Sequence, residues 1–407
     1  MTLEEVLESI EASRDEIVST MVEMIGIPAL APINGGEGEG KRADMLMRNL
    51  QGYDSVIRVD VPDVTDPSVM RPNILASKKG KERGTVWIVA HTDTVPAGDP
   101  EDWDTPPYEG HVRDGRIYGR GTEDNGQAVI SSMFASKFIP AGTLTKRSLG
   151  IAYVADEETT SLMGISHLID HGYFDLENDV VIVPDWGVPG GTLMDVAEKH
   201  LLWVKVAVRG KTTHASTPHK GLNAFRVSSA LVKDLLDRLE YYYDDEDPLF
   251  EPPMTTFEPT RSPSTVENVN TIPGYAEFSL DIRLIPRHDP DEVFEFIRSV
   301  ATEHAESTGA SIEVTKIQRT YAGKPSSTDT PEFRAIAESI QSVIGGELRA
   351  VGVGGNTCAN FFRMAGMDAY VWECGGGTLH APNEYAEVDN IITDAKAFAT
   401  VFHRLCV

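Results

Sequence analysis

The chain has 407 residues, 41% of them hydrophobic and 24% charged, which is enough to bury a large core and excludes a disordered, collagen-like or coiled-coil molecule. Aspartate and glutamate number 63 against 36 lysines and arginines; the resulting net charge of −27, with no basic patch to interrupt it, argues against a nucleic-acid or anionic-membrane partner. Three cysteines, Cys358, Cys374 and Cys406, are too few and too odd in number for a disulfide framework and point to a reducing, cytoplasmic compartment.

No apolar run approaches the roughly 20 residues of a membrane span. The acidic start, Met1-Thr-Leu-Glu-Glu, does not read as a signal peptide, so a soluble chain is expected. In chain order, residues 3 to 25 carry apolar side chains at helical spacing and predict one amphipathic opening helix. The stretch Gly35-Gly-Glu-Gly-Glu-Gly-Lys41 superficially matches a phosphate loop. It is rejected, because no strand precedes it, Arg42 replaces the required hydroxyl residue, and two glutamates would face phosphate oxygens.

A pattern then recurs four times, in which a short apolar run ends abruptly in a polar cluster. Val86-Trp-Ile-Val-Ala90 precedes His91-Thr-Asp93. Leu149-Gly-Ile-Ala-Tyr-Val154 precedes Asp156-Glu-Glu158. Val180-Val-Ile-Val183 ends at Pro184-Asp185, and Ala369-Tyr-Val-Trp372 leads into a glycine-rich loop and His380. Such runs suit buried strands of a sheet covered by helices on both faces, with helices predicted over 124–139, 160–171, 331–344 and 391–405. Ligands of such sheets gather beyond the carboxyl ends of the strands.

From about 199 the texture changes to alternating strands, 201–208 and 276–284, with helices over 221–242 and 290–306 and a further strand near 311–315. The proline-rich segment 248–273 reads as a long loop. The expected organisation is therefore a main α/β domain, 1–198 and 319–407, interrupted by a small α+β open-faced sandwich, 199–318.

Taken singly, His91 is an ordinary histidine, Asp124 a helix cap, and Glu157 and Glu158 partners of a helix dipole. Together with Asp185 and His380 they supply imidazoles and carboxylates from separate strand ends, the donor set of a dinuclear hydrolytic site, with Glu157 left over as a base. The alternation of side chains along an extended segment lets Asp93 hold one nitrogen of His91 while the other meets a metal.

The order His91-Thr-Asp93-Thr-Val-Pro96, Gly119-Arg-Gly-Thr-Glu-Asp124, Asp156-Glu-Glu158, Asp185 and His380-Ala-Pro-Asn-Glu384 resembles the dinuclear zinc aminoacylase and carboxypeptidase family, along nearly the whole chain. The family includes acetylornithine deacetylase, succinyl-diaminopimelate desuccinylase, carboxypeptidase G and several dipeptidases. The resemblance implies a zinc-peptidase-like catalytic domain with a mixed sheet, and an inserted lid and dimerisation domain that would make the protein a homodimer. It implies one ion on His91, Asp124 and Asp185 and another on Asp124, Glu158 and His380, with Glu157 as general base. Zinc is the expected ion, with cobalt or manganese as alternatives.

In the insert, Arg209-Gly-Lys-Thr-Thr-His214 resembles the segment whose histidine stabilises the oxyanion, and Asn270, Arg283 and Thr357 stand where relatives hold a substrate carrying a carboxylate. The expected reaction is hydrolysis of an amide bond in a small N-acyl amino acid or short peptide. Two other readings stand beside it, a catalytically silent metal-binding scaffold and a metallo-aminopeptidase acting on free N-termini. Two departures mark this chain: Asn125-Gly126-Gln127 follows the aspartate where relatives carry a variable residue, lysine and glycine, and Gly354-Gly-Asn-Thr-Cys358 stands where they show Gly-Gly-Thr-Asp or Gly-Gly-Thr-Ser.

Overall fold

All four apolar runs are strands of one eight-stranded mixed sheet in the computed structural model, which describes residues 2–263 and 266–407. Across the sheet the strands are Ser55–Pro62, Met70–Lys78, Ser148–Val154, Thr85–His91, Val180–Val188, Ala369–Cys374, Leu193–Glu198 and Arg349–Val353. The third to sixth of these run parallel, and their neighbours on either side are antiparallel. The four runs flagged in the sequence are those parallel strands, so their carboxyl ends open on one edge.

Side-chain alternation explains the two covered faces. Trp87, Val89, Val181, Val183 and Val371 pack on one face against the helices Ile165–Asp170 and Cys358–Met364, with Phe174 edge-on to both Trp87 and Phe362. The helices Gln127–Lys137 and Val388–Cys406 contact the strands Thr85–His91 and Ser148–Val154 as well as each other. Each fully buried valine, isoleucine or leucine contributes roughly 1.5–3 kcal/mol, which is why β-branched runs hold the centre.

The chain divides into two compact units, one running through Val196 with Pro325–Val351 and Thr357–Val407, the other Ala197–Lys324 with Gly352–Asn356. The second unit contains a four-stranded antiparallel sheet in the order Thr256–Arg261, Tyr275–Leu284, His200–Arg209, Ser311–Thr320. Its core is built from Val204, Val206, Phe278, Leu280 and Ile282 with Leu231, Leu235, Val293 and Ile297 of the helices Ala224–Tyr242 and Pro290–Thr308.

Several elements differ from expectation. The opening helix is two, Leu3–Ala12 and Arg14–Ile25, because Ser13 leaves helical geometry at φ −90° and ψ 12° while its hydroxyl donates to the Ser9 carbonyl. The helix expected over 160–171 is confined to Ile165–Asp170, since the Asp156 carboxylate draws the hydroxyls of Thr159 and Thr160 and the amide of Met163 into a turn. The proline-rich segment contains the strands Thr256–Arg261 and Thr271–Ile272, and its residues 264 and 265 lie outside the described residues. The strands Ser55–Pro62, Met70–Lys78, Leu193–Glu198 and Arg349–Val353 went unread in the sequence. No helix among the described residues is long and apolar enough to cross a membrane.

Candidate metal centre

His91 closes the strand Thr85–His91, and Glu157 and Glu158 follow the neighbouring strand Ser148–Val154. Asp185 does not end its strand as the sequence suggested. The strand continues to Val188, and the ladder to Ala369–Cys374 shifts so that Pro184, Asp185 and Trp186 face Trp372 alone. At that irregularity the Asp185 carboxylate lies 3.3 Å from His91 Nε2.

Asp124 lies in the tight turn Thr122–Gly126 ahead of the helix Gln127–Lys137, joined to Asn125 by a cis peptide bond. Gly121 enters this turn at φ 85°, where an added Cβ would meet the Thr94 side chain at 2.5 Å. Gly126 stands where the resemblance led lysine to be expected, and a Cβ there would lie 2.4 Å from the Gly121 carbonyl oxygen. No side chain fits that position in this turn. Asn125 serves the site instead: its Oδ1 accepts from the His91 amide, and its Nδ2 donates to the Pro184 carbonyl at 2.5 Å and to Asp185 Oδ1 at 3.0 Å.

The two oxygens of Asp124 face different histidines. His91 Nε2 is 2.8 Å from Asp124 Oδ1 and 3.3 Å from Asp185 Oδ1; His380 Nε2 is 3.0 Å from Asp124 Oδ2 and 3.2 Å from Glu158 Oε2. One ligand atom each from His91, Asp124 and Glu158, and one each from His91, Glu157 and Asp185, lie within 4.8 Å of one another. The His91, Asp124, Asp185 and Glu158 side chains are all at most 8% exposed, whereas His380 is 56% exposed.

Protonation chemistry tests whether these residues fit a metal. His91 Nδ1 lies 3.1 Å from the Asp93 carbonyl oxygen, which can only accept, so Nδ1 carries the proton. A neutral His91 then turns a lone pair toward two carboxylate oxygens, and only a cation or a second proton reconciles the three. Without metal the proton is favoured: burial pulls His91 down, but Asp185 and Asp124 raise it well above the ordinary imidazole range. His380 is raised to about 10 by its hydrogen bonds to Asp124 and Glu158. Burial raises Glu157 well above the carboxylate range, Glu158 to about 7 and Asp185 as well, with neighbouring carboxylates adding to each. Asp124 is lowered, its bonds from His380 and His91 outweighing burial. Four carboxylates facing two imidazoles, five of these six side chains largely buried, leave an excess of negative charge that divalent cations neutralise, so the donor set fits the metals.

The expected role of the Asp93 carboxylate needs correction. Its Oδ1 is 3.6 Å from His91 Nδ1, beyond a hydrogen bond, and the main-chain oxygen holds the ring. The carboxylate accepts the amides of Glu157 and Glu158, both at 3.0 Å, and so fixes that segment beside His91. Behind it lies a buried ion cluster that sequence reading missed. Arg71 donates to Glu39, to Asp63 at 2.7 Å and to Asp156 at 3.4 Å, and approaches Asp93 at 3.9 Å. Glu39 comes from the glycine-rich stretch, which thus serves the interior.

Of the remaining expected site residues, Thr357 caps the helix Cys358–Met364, its hydroxyl accepting from the Ala359 amide. Beside it the buried Cys358 thiol is raised well above its usual value by burial and then by Glu157 and Asp185, which makes it a poor nucleophile. His214, Asn270 and Arg283 belong to the second unit. His214 pairs with Thr271 in a two-stranded ribbon and its Nδ1 meets Ser216 Oγ at 2.8 Å; the Asn270 carbonyl accepts from the Ala215 amide; Arg283 donates to Asp281 and to the Gly354 carbonyl.

A parallel-edge recess of histidines and carboxylates in an α/β sheet defines a metal-dependent hydrolase. Residues 87–404 match peptidase family M20/M25/M40. The chain belongs to that family and is a metallohydrolase of the peptidase and desuccinylase type, using divalent metal. It is 32% identical to an uncharacterized metallohydrolase of Methanococcus maripaludis over 95% of this chain and 98% of that one. It is 27% identical to succinyl-diaminopimelate desuccinylase of Gluconacetobacter diazotrophicus over 94% and 95% of the two chains. Among solved structures, the di-peptidase Dug1p of Saccharomyces cerevisiae shares the fold with a TM-score of 0.78, at 16% identity over 99% and 98% of the two chains.

Proposed function

We propose that the chain hydrolyses an amide bond in a small N-acyl amino acid or short peptide carrying a carboxylate. His91, Asp124 and Asp185 would hold one divalent ion and Asp124, Glu158 and His380 a second, with zinc the expected metal and cobalt or manganese as alternatives. The observation that carries this reading is the split of Asp124, one oxygen toward His91 and the other toward His380. Bound divalent ions supply Lewis acidity, acidifying water and polarising a carbonyl. Glu157, whose carboxylate lies within 4.8 Å of the His91 and Asp185 ligand atoms and which neither proposed ligand set uses, takes the proton of the attacking water and returns it to the leaving amine.

The family resemblance extends the proposal to the second unit, with His214 stabilising the oxyanion, Asn270 and Arg283 together with Thr357 holding substrate, and dimerisation through that unit. Arg283 suits a carboxylate because its planar fork matches one bidentately. Three buried cysteines, none in a disulfide, support a cytoplasmic setting. A silent scaffold is disfavoured because both the bridge, Asp124, and the base, Glu157, are present. An aminopeptidase reading predicts cleavage of unblocked peptides, so N-acylated substrates separate the two.

The decisive variant is Glu157→Gln, which is expected to retain the parent's metal content and to lose about 10²–10⁴-fold in kcat, the range of general acid–base assistance. Metal analysis and turnover measured on one preparation check it. Turnover at the parent rate would remove Glu157 from the mechanism.

A further inference from the structure

His380 is the ligand with the weakest local support: it sits on a loop at φ 61°, outside any strand, and more than half exposed. Two other carboxylates bind the loops that carry Asp124 and His380, and they do so reciprocally. Glu123, next to Asp124, accepts the amides of Gly376 at 2.5 Å, Gly377 at 2.6 Å and Thr378 at 2.6 Å, and the Thr378 hydroxyl. Glu384, four residues beyond His380, accepts the amides of Gly121 at 3.1 Å, Glu123 at 2.9 Å and Asp124 at 3.0 Å. Each loop thus buries a glutamate against the other's main chain, and both glutamates are at most 1% exposed.

Arg120 closes the exchange, donating to Glu384 at 2.5 Å and to the His380 carbonyl at 3.2 Å. Charge-assisted bonds to several amides at once fix a main chain far more tightly than a single contact does. The other half of the centre has separate support, since His91 and Asp185 lie on strands and Asn125 bonds to both.

We propose that Glu123 and Glu384 are positioning residues that set His380 against Asp124, and so govern the affinity of the ion shared by Asp124, Glu158 and His380 while leaving the His91 and Asp185 side largely alone. The proposal rests on the two-ion reading above. Neither glutamate faces the cleft as a ligand, because their oxygens are taken by amides, a hydroxyl and a guanidinium. Glutamine at position 384 keeps the shape but turns an NH2 group toward either Arg120 or three amides, all donors, so the clasp fails without a change in size.

The test is calorimetric titration of the metal-stripped full chain with zinc ions, for the parent, Glu384→Gln, Glu123→Gln and the milder Thr378→Val, with circular dichroism to verify folding. The expected result is two ions for the parent. In both glutamine variants the first ion binds as in the parent and the second is weakened about 10–100-fold, the usual effect of losing a group that orients a ligand. Thr378→Val, which removes a hydroxyl that donates to Glu123 and accepts from the Tyr385 amide but no charge, is expected to weaken the second ion less, and carries the test if a glutamine variant does not fold. A role in stability alone would shift both ions together. Folded variants that lose both ions equally, or bind the second as tightly as the parent, overturn the proposal. A parent that takes up fewer than two ions overturns the two-ion reading itself and this inference with it.

Discussion

The two units bury different things. The core of the second is apolar, with valine, leucine, isoleucine and phenylalanine of one sheet packed on two helices. The first adds a buried layer of ions at the carboxyl edge of its parallel strands, in which Glu39, Arg71, Asp93, Arg120, Glu123, Asp124, Asp156 and Glu384 are all at most 6% exposed. Burial of an ion is costly unless it is paired and hydrogen-bonded, and these groups are: Arg71 pairs with Glu39, Asp63 and Asp156, Arg120 with Glu384, and Glu123 and Glu384 accept main-chain amides. The candidate metal ligands accordingly all lie in the first unit, and the hydrophobic cluster of sheet and helices in the second.

The largest effect is expected at Arg71, the cation of the buried cluster. Arg71→Met leaves Glu39, Asp63 and Asp156 without their cation and is expected to cost about 3–5 kcal/mol, measurable by denaturant unfolding. Because the cluster is shielded from solvent, the loss should persist at about 1 M KCl, where the Debye length of about 3 Å screens exposed pairs. A loss that vanished with salt would show the cluster to be solvated. In the second unit, Leu280→Ala opens a cavity and is expected to cost about 2–5 kcal/mol while leaving metal uptake unchanged. Loss of metal in that variant would mean that the two units are not separable in this way.

Much of the fold was legible because the central strands are apolar on both faces. Runs such as Val86–Ala90 and Val180–Val183 have no other plausible place in an α/β chain. The edge strand Ser55–Pro62 was missed because half-exposed Val56, Arg58 and Asp60 carry no such signature. Thr256–Arg261 was missed because proline and charge at a sheet edge read as loop.

At the candidate centre, the residues the sequence singled out in the first unit, His91, Asp124, Glu157, Glu158, Asp185 and His380, are the ones brought together: all but Asp124 follow or interrupt a strand that could be read, and Asp124 stands in a glycine-rich turn ahead of a readable helix. Glu123, Glu384, Asn125 and Arg71 were not foreseen, because their partners are main-chain amides or residues distant in the chain. Glu123 adjoins Asp124 and Glu384 lies within His380-Ala-Pro-Asn-Glu384, so proximity to a candidate ligand was the signal available. The missing lysine after Asp124 was visible in the sequence. The close approach of the Gly121 carbonyl to Gly126, which leaves a side chain no room in this turn, was not.

The central claim is that Asp124 is shared by two divalent ions. Anomalous X-ray scattering from crystals grown with zinc tests it most directly. The account predicts two peaks about 3.5–4 Å apart on either side of the Asp124 carboxylate, one beside His91 and Asp185 and one beside Glu158 and His380. A map with no peak at Asp124, or with ions bound elsewhere in the chain, would contradict it.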